Sequence, residues 1–224
     1  MTLYPDRLGY GVVCVGAGGI GSHVLPMLAR AGVTRFVLYD DDTVADVNLQ
    51  MQNFNADEIG QHKVYVMEKR LRAINPAVCI SARPVRFGDS AALDGIVVSA
   101  VDSMQSRTEI FDAVRQRRNT IALFIDGRLT RSGDFIDLYF IDPKNGYDMQ
   151  SYESLLFGDP GGPQPPRPDS MTAHVPLVLA GLIGEVLAQW GAGRRHPWKV
   201  TYDGLAHHTE RYYAQAFSQL EAAS

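Results

Sequence analysis

The chain has 224 residues, 46% of them hydrophobic and 21% charged, with a formal net charge of −4. That length suits one well-buried domain, expected over residues 1–224, and leaves little for a second. The acidic balance gives no general attraction to nucleic acid, and with no apolar run of ~20 residues and no basic, apolar leader, a cytoplasmic protein without membrane contact is expected.

Val12 to Val15 reads as a buried strand, followed by Gly16-Ala17-Gly18-Gly19-Ile20-Gly21 and a helix. This is G-x-G-x-x-G at a strand-to-helix junction, where glycines permit a tight turn and backbone approach to phosphate, and the helix start offers N–H groups to an anion. Arg35 to Tyr39 is a second strand, and Asp40 at its end suits ribose hydroxyls. Thr43 to Asp57 is polar and unusually rich in Asn and Gln for a connector.

Ile59 to Asn75 carries Val64, Met67, Leu71 and Ile74 on one helical stripe, with Lys63 near its start and Asn75-Pro76 as its stop. Strands are expected at Ala77 to Val85, Ile96 to Ala100 and Thr120 to Asp126, with a helix from Met104 to Arg118. Gly133 to Ile141 alternates as an antiparallel neighbour would. Asp142 to Pro168 is rich in proline and glycine and reads as a long loop. An apolar helix over Thr172 to Trp190, a strand over Trp198 to Tyr202 and a tail helix over Thr209 to Leu220 complete the chain. Cys14 and Cys79 read as small core residues in strands, and without a CxxC pair no four-cysteine zinc site is expected.

The fold class is α/β: a Rossmann-like, doubly wound, mostly parallel sheet with an antiparallel extension. A dehydrogenase reading lacks a good catalytic base, since the candidates weighed in the second half, His174 and His207-His208, sit at the start of an apolar helix and near the tail. Asp40, Asn48, Gln52, Lys63, Asp102 and Arg107 instead all follow strand ends or begin helices, the edge at which open parallel sheets bind ligands. Together they supply an acid for ribose, amides and a lysine for polyphosphate, and an acid for Mg²⁺. That set suits a nucleoside triphosphate.

The order GAGGIGSH, LARAGV, LYDDDTV, NLQMQ, IGQHK, INP, VDSMQSR resembles the ThiF/HesA/MoeB family of adenylating enzymes, related to ubiquitin activators. The likeness is close over Val12 to Asp126 and looser beyond. It implies a ThiF/MoeB-type adenylation fold whose residues 1–126 bind nucleotide and whose residues 127–224 bind a carrier. It also implies ATP and Mg²⁺, and adenylation of the C-terminal glycine carboxylate of a ubiquitin-like or sulfur-carrier protein. Carried over by position, Gly16, Gly18, Gly19 and Gly21 form the nucleotide loop, and Asp40 and Asp42 the acidic strand end. Asn48 and Gln52 match the phosphate-side amides, Lys63 the catalytic lysine, Asp102 the Mg²⁺ acid and Arg107 the arginine of the next helix. Residues 142–171 fall where relatives carry a crossover loop, and the resemblance further implies a homodimer and a possible conjugating-enzyme partner.

The chain departs from this pattern at Met51, where the family has an arginine; Arg128 or Arg131 are the basic groups available to compensate. Arg7 alone stands for the family's N-terminal arginine, and structural zinc is not expected. No cysteine lies near Pro168 to Thr172, where thiol-using members place their acceptor. Ser170 marks that position, either in place of a native cysteine or because the reaction stops at the adenylate. The same site would serve a peptide, small or tRNA-bound carboxylate. A non-catalytic nucleotide-binding subunit of a heterodimer and an NAD-binding protein are the alternatives of other classes.

Overall fold

The computed structural model describes residues 9–88, 93–129, 135–156 and 174–213. Eight strands form one sheet in the order β3-β2-β1-β4-β5-β6-β7-β8. They are β1 (Val12–Val15), β2 (Arg35–Tyr39), β3 (Cys79–Arg83), β4 (Gly95–Ser99), β5 (Ile121–Leu129), β6 (Phe135–Ile141), β7 (Lys199–Asp203) and β8 (His208–Tyr212). The first five are parallel, and β6 to β8 extend the sheet antiparallel, as expected.

The side-chain period of two divides the central strands between two cores. Val12 and Cys14 of β1 face a core with Val24, Leu25 and Leu28 of α1 (Gly21–Arg30), Val64, Met67 and Leu71 of α2 (Lys63–Ile74), and Leu179, Ile183 and Leu187 of α5 (His174–Gly191). Val13 and Val15 face the other, with Ile110, Phe111 and Val114 of α3 (Met104–Gln116) and Tyr152 of α4 (Gly146–Glu153). Burying each such aliphatic side chain stabilises the fold by about 2 kcal/mol. α5 is long and apolar enough to cross a membrane by length and composition, yet 56% of it is buried against α1 and the sheet.

Three expectations are corrected. Within the loop expected over Asp142 to Pro168, residues 146–153 form α4, started by Asn145, whose side chain accepts from the Tyr147 and Asp148 N–H groups. The tail expected to be helical from Thr209 begins instead as β8, because His208 to Tyr212 pair with β7; residues 214–220 lie outside the described residues. Cys14 is buried, but Cys79 is exposed on the edge strand β3 and belongs to no core.

Candidate functional site

β1 lies between β2 and β4, so successive crossovers leave it in opposite directions and open a crevice at the carboxyl ends of these strands. A cleft of about 1030 Å³ occupies that place. Its lining includes Gly16, Gly18, Gly19, Asp40, Asp42, Asn48, Gln52, Lys63 and Asp102, nine of the residues expected there.

The glycine turn is enforced by packing. Gly16 has φ +95°, and a Cβ there would lie 2.5 Å from the Ala100 carbonyl oxygen. Gly21 does not line the cleft; a Cβ on it would lie 2.0 Å from the Gly16 carbonyl, so its absence of a side chain lets α1 start against the turn. The start of α1 has no side-chain cap and no acid in its first turn, so the positive end of its dipole faces no carboxylate of its own; the Ser22 and His23 N–H groups donate to the Gly18 and Ile20 carbonyls.

Asp40 is tied to that turn. Its Oδ2 accepts the Ala17 N–H at 2.6 Å and its Oδ1 the Asp42 N–H at 2.9 Å. Burial pushes its carboxyl above the usual carboxylate range, against the pull of those donors and of Lys63. Each oxygen retains capacity to accept from a further donor such as a hydroxyl.

The main chains of residues 42–44 and 60–63 run side by side, with Val44 N–H donating to Gln61 O, Lys63 N–H to Asp42 O, and Gly60 at φ +85° making the turn. This pairing sets Lys63 at the first position of α2 and brings its Nζ to 2.6 Å from Asp42 Oδ2. Lys63 is buried while the Asp42 side chain is 67% exposed.

The Asn/Gln-rich segment is pinned to α1. Pro26 lies within α1 and has no N–H to give the Ser22 carbonyl, four residues back. Asn53 Nδ2 takes that carbonyl at 3.2 Å, and the Asn53 N–H donates to Ser22 Oγ at 2.9 Å. His23 Nε2 lies 3.0 Å from the Met51 carbonyl oxygen. Asn48 closes the other end, its Oδ1 accepting from the Ala45 N–H at 2.8 Å. Gln52 is held in the cleft wall with its Oε1 buried and unpartnered. Met51 is buried in the same wall, where the family pattern has a cation.

Ser103 caps α3, its hydroxyl accepting the Ser106 N–H at 3.1 Å, so Asp102 is no N-cap and stands exposed in the cleft. Arg107 does not line the cleft. It is buried, donating to Asp126 Oδ1 at 3.2 Å and to the Val101 and Gly127 carbonyls at 2.5 and 3.2 Å. The spacing that suggests a ligand instead fastens α3 to β5. Arg128 does not compensate for Met51 either, for its Nε donates to Asp126 Oδ2 at 2.7 Å and its guanidinium stacks over Tyr139. Arg7, Arg131 and Ser170 lie outside the described residues. Arg86, Phe87, Ser106 and Glu109 also line the cleft and were missed in the sequence. Only their position on the same sheet edge could have flagged them.

A doubly wound sheet with a glycine turn, an acidic strand end and a buried lysine around one crevice has the architecture of a nucleotide-binding fold. The ThiF family model matches residues 8–191, and the chain belongs to that family. It is 40% identical over 187 residues to the sulfur carrier protein adenylyltransferase of Thermus thermophilus, covering 79% of this chain and 66% of the relative. It is 36% identical over 105 residues to the Escherichia coli sulfur carrier protein ThiS adenylyltransferase, covering 44% and 42%. It is 38% identical over 130 residues to ubiquitin-like modifier-activating enzyme 5 of Oryza sativa, covering 50% and 31%. The chain thus spans less than two thirds of the length of these relatives. Among solved structures it shares its fold with PaaA (TM-score 0.72, 16% identity, 95% of this chain and 67% of that one). E. coli MccB with AMPCPP and MccA shares it too (TM-score 0.67, 18% identity, 96% and 68%).

Proposed function

We propose that the chain binds ATP in this cleft and adenylates the C-terminal carboxylate of a ubiquitin-like or sulfur-carrier protein. The observation that carries this reading is the buried Lys63 ammonium, held by Asp42 in the cleft that Gly16, Gly18 and Gly19 also line. A fixed cation sharing a cleft with a glycine turn is suited to charge developing on a transferring phosphoryl group. The names of the sulfur-carrier relatives supply the substrate class.

In this reading Asp40 accepts the ribose hydroxyls, Gly16 to Gly19 admit the phosphates, and Asn48 and the Gln52 amide contact the polyphosphate. The carrier carboxylate oxygen attacks the α-phosphorus, and the bond to the bridging oxygen breaks as pyrophosphate leaves with its electron pair. Lys63 stabilises the equatorial oxygens throughout. An exposed carboxylate free of capping duty fits Mg²⁺, so Asp102 would hold the ion jointly with phosphate oxygens; bound there, it would neutralise polyphosphate charge. A homodimer in the cytoplasm, with a conjugating enzyme downstream, belongs to the same reading.

The absence of cysteine from residues 142–224 favours a second outcome, release of the adenylate to an outside nucleophile without a thioester on this chain. Exchange of labelled pyrophosphate into ATP tests the proposal: it should require a carrier with a free C-terminal carboxylate and be lost in Lys63→Ala. Exchange equal in wild type and Lys63→Ala would refute the assignment.

A further inference from the structure

Besides the residues named above, the cleft is lined by side chains of α3 and of the segment after β3. Phe87 and Ile110 supply apolar lining there, with Arg86, Ser106 and Glu109 among the polar residues. Phe87 and Ile110 are buried, and Phe87 stands edge-on to Tyr39 with ring centroids 5.5 Å apart. The apolar lining is therefore fixed by core packing. Arg86, in the segment after β3, reaches across to α3, with Nη2 3.5 Å from Ser106 Oγ and 3.4 Å from Glu109 Oε2. Gln105 Nε2 donates to the other carboxylate oxygen, Oε1, at 3.0 Å. Glu109 is thus held from two sides, with both oxygens oriented, at the border of an apolar slot.

This placement has no structural justification of its own. The Arg86 and Glu109 side chains are 58% and 40% exposed, and an ion pair so open to solvent adds little to stability. With phosphates at the start of α1 and ribose on Asp40, the position left for the base is this slot. We propose that Glu109, positioned by Arg86, reads the exocyclic edge of the base and selects a 6-aminopurine nucleotide. The 6-amino group donates to the Glu109 carboxylate, whereas a 6-oxo group presents a lone pair to it and a bare C6–H offers no donor. The inference rests on the nucleotide reading above and adds to it the residues that choose the base.

Equilibrium binding of ATP, inosine triphosphate and purine riboside triphosphate to the full chain tests it. The wild type should bind ATP roughly tenfold more tightly than either analogue, the size expected when a charged acceptor loses its donor. Glu109→Ala should bring the three affinities together by weakening ATP, and Arg86→Ala should narrow the gap part of the way. Thermal melting should report folded variants, since the pair is exposed. Equal affinities in the wild type would overturn the proposal while leaving the nucleotide site in place. So would Arg86→Ala weakening all three ligands alike, which would make Arg86 a phosphate contact. Failure of the wild type to bind any of the three would instead remove the nucleotide reading on which the proposal rests.

Discussion

Asn53 completes a hydrogen bond that the Ser22 carbonyl lacks because Pro26, four residues on, has no N–H. A defect in α1 thereby becomes the anchor of the segment carrying Asn48, Met51 and Gln52, and the helix that begins at the glycine loop also positions the opposite wall. Asn53→Ala leaves a buried carbonyl without a partner and should destabilise the protein by about 1–3 kcal/mol. It should also weaken nucleotide binding although Asn53 does not line the cleft. Pro26→Ala restores the helical bond and competes with Asn53, so it should weaken binding without loss of stability. Melting and ATP titration of both variants check this; equal losses of stability would contradict it.

Lys63 is buried while its partner Asp42 is largely exposed, so their removal has unequal consequences. Lys63→Ala should cut turnover by about 10²–10³, the usual effect of losing a preorganised charge at a transition state. Asp42→Asn weakens an ion pair already screened at one end and should cost about 1 kcal/mol. Steady-state kinetics and melting separate the two.

Arg107 and Asp126 form a buried ion pair, and Arg128 approaches the same carboxylate. Arg107→Ala leaves Asp126, which is fully buried, with half of its compensation and should destabilise by about 3–5 kcal/mol. If Arg107 acted chiefly on the nucleotide, the variant would instead keep its melting temperature and lose ATP affinity.

The two cysteines should differ in reactivity. Burial, aided by the charge of Asp40, pushes the Cys14 thiol up to about 12, and its Sγ donates to the Gly16 carbonyl oxygen at 3.3 Å. At pH 8 Cys14 is therefore almost entirely protonated and enclosed, whereas Cys79 is exposed. Iodoacetamide should label Cys79 and spare Cys14 until the protein unfolds. Cys79 begins β3, at the opposite end of the sheet from the cleft, so Cys79→Ser should leave adenylation unchanged.

The glycine loop, Asp40 and Lys63 were legible because each is local: a turn, a strand end and a helix start specify their own positions. Long-range contacts were not. Arg107 carries the spacing of a ligand, but three acceptors on β5 and the end of β4 capture it, and nothing adjacent in the chain announces them. The β7–β8 pairing overrode the helical pattern of Tyr212 and Tyr213, since pairing depends on a partner strand rather than on local periodicity. α4 was hidden in an apparent loop, although Asn145 three residues before Asp148 is a helix-start signal. Arg86 and Glu109 belong to no motif; they meet only because β3 and α3 open onto one crevice.

The central claim is most directly tested by intact mass spectrometry of a ubiquitin-like or sulfur-carrier protein incubated with this chain, ATP and Mg²⁺, with pyrophosphatase to draw the reaction forward. The predicted result is a carrier heavier by one AMP, formed by the wild type, absent with Lys63→Ala, and absent when the carrier's C-terminal carboxylate is amidated. A carrier that stays unmodified while the chain binds ATP tightly, or one that gains AMP equally well when amidated, would contradict the account.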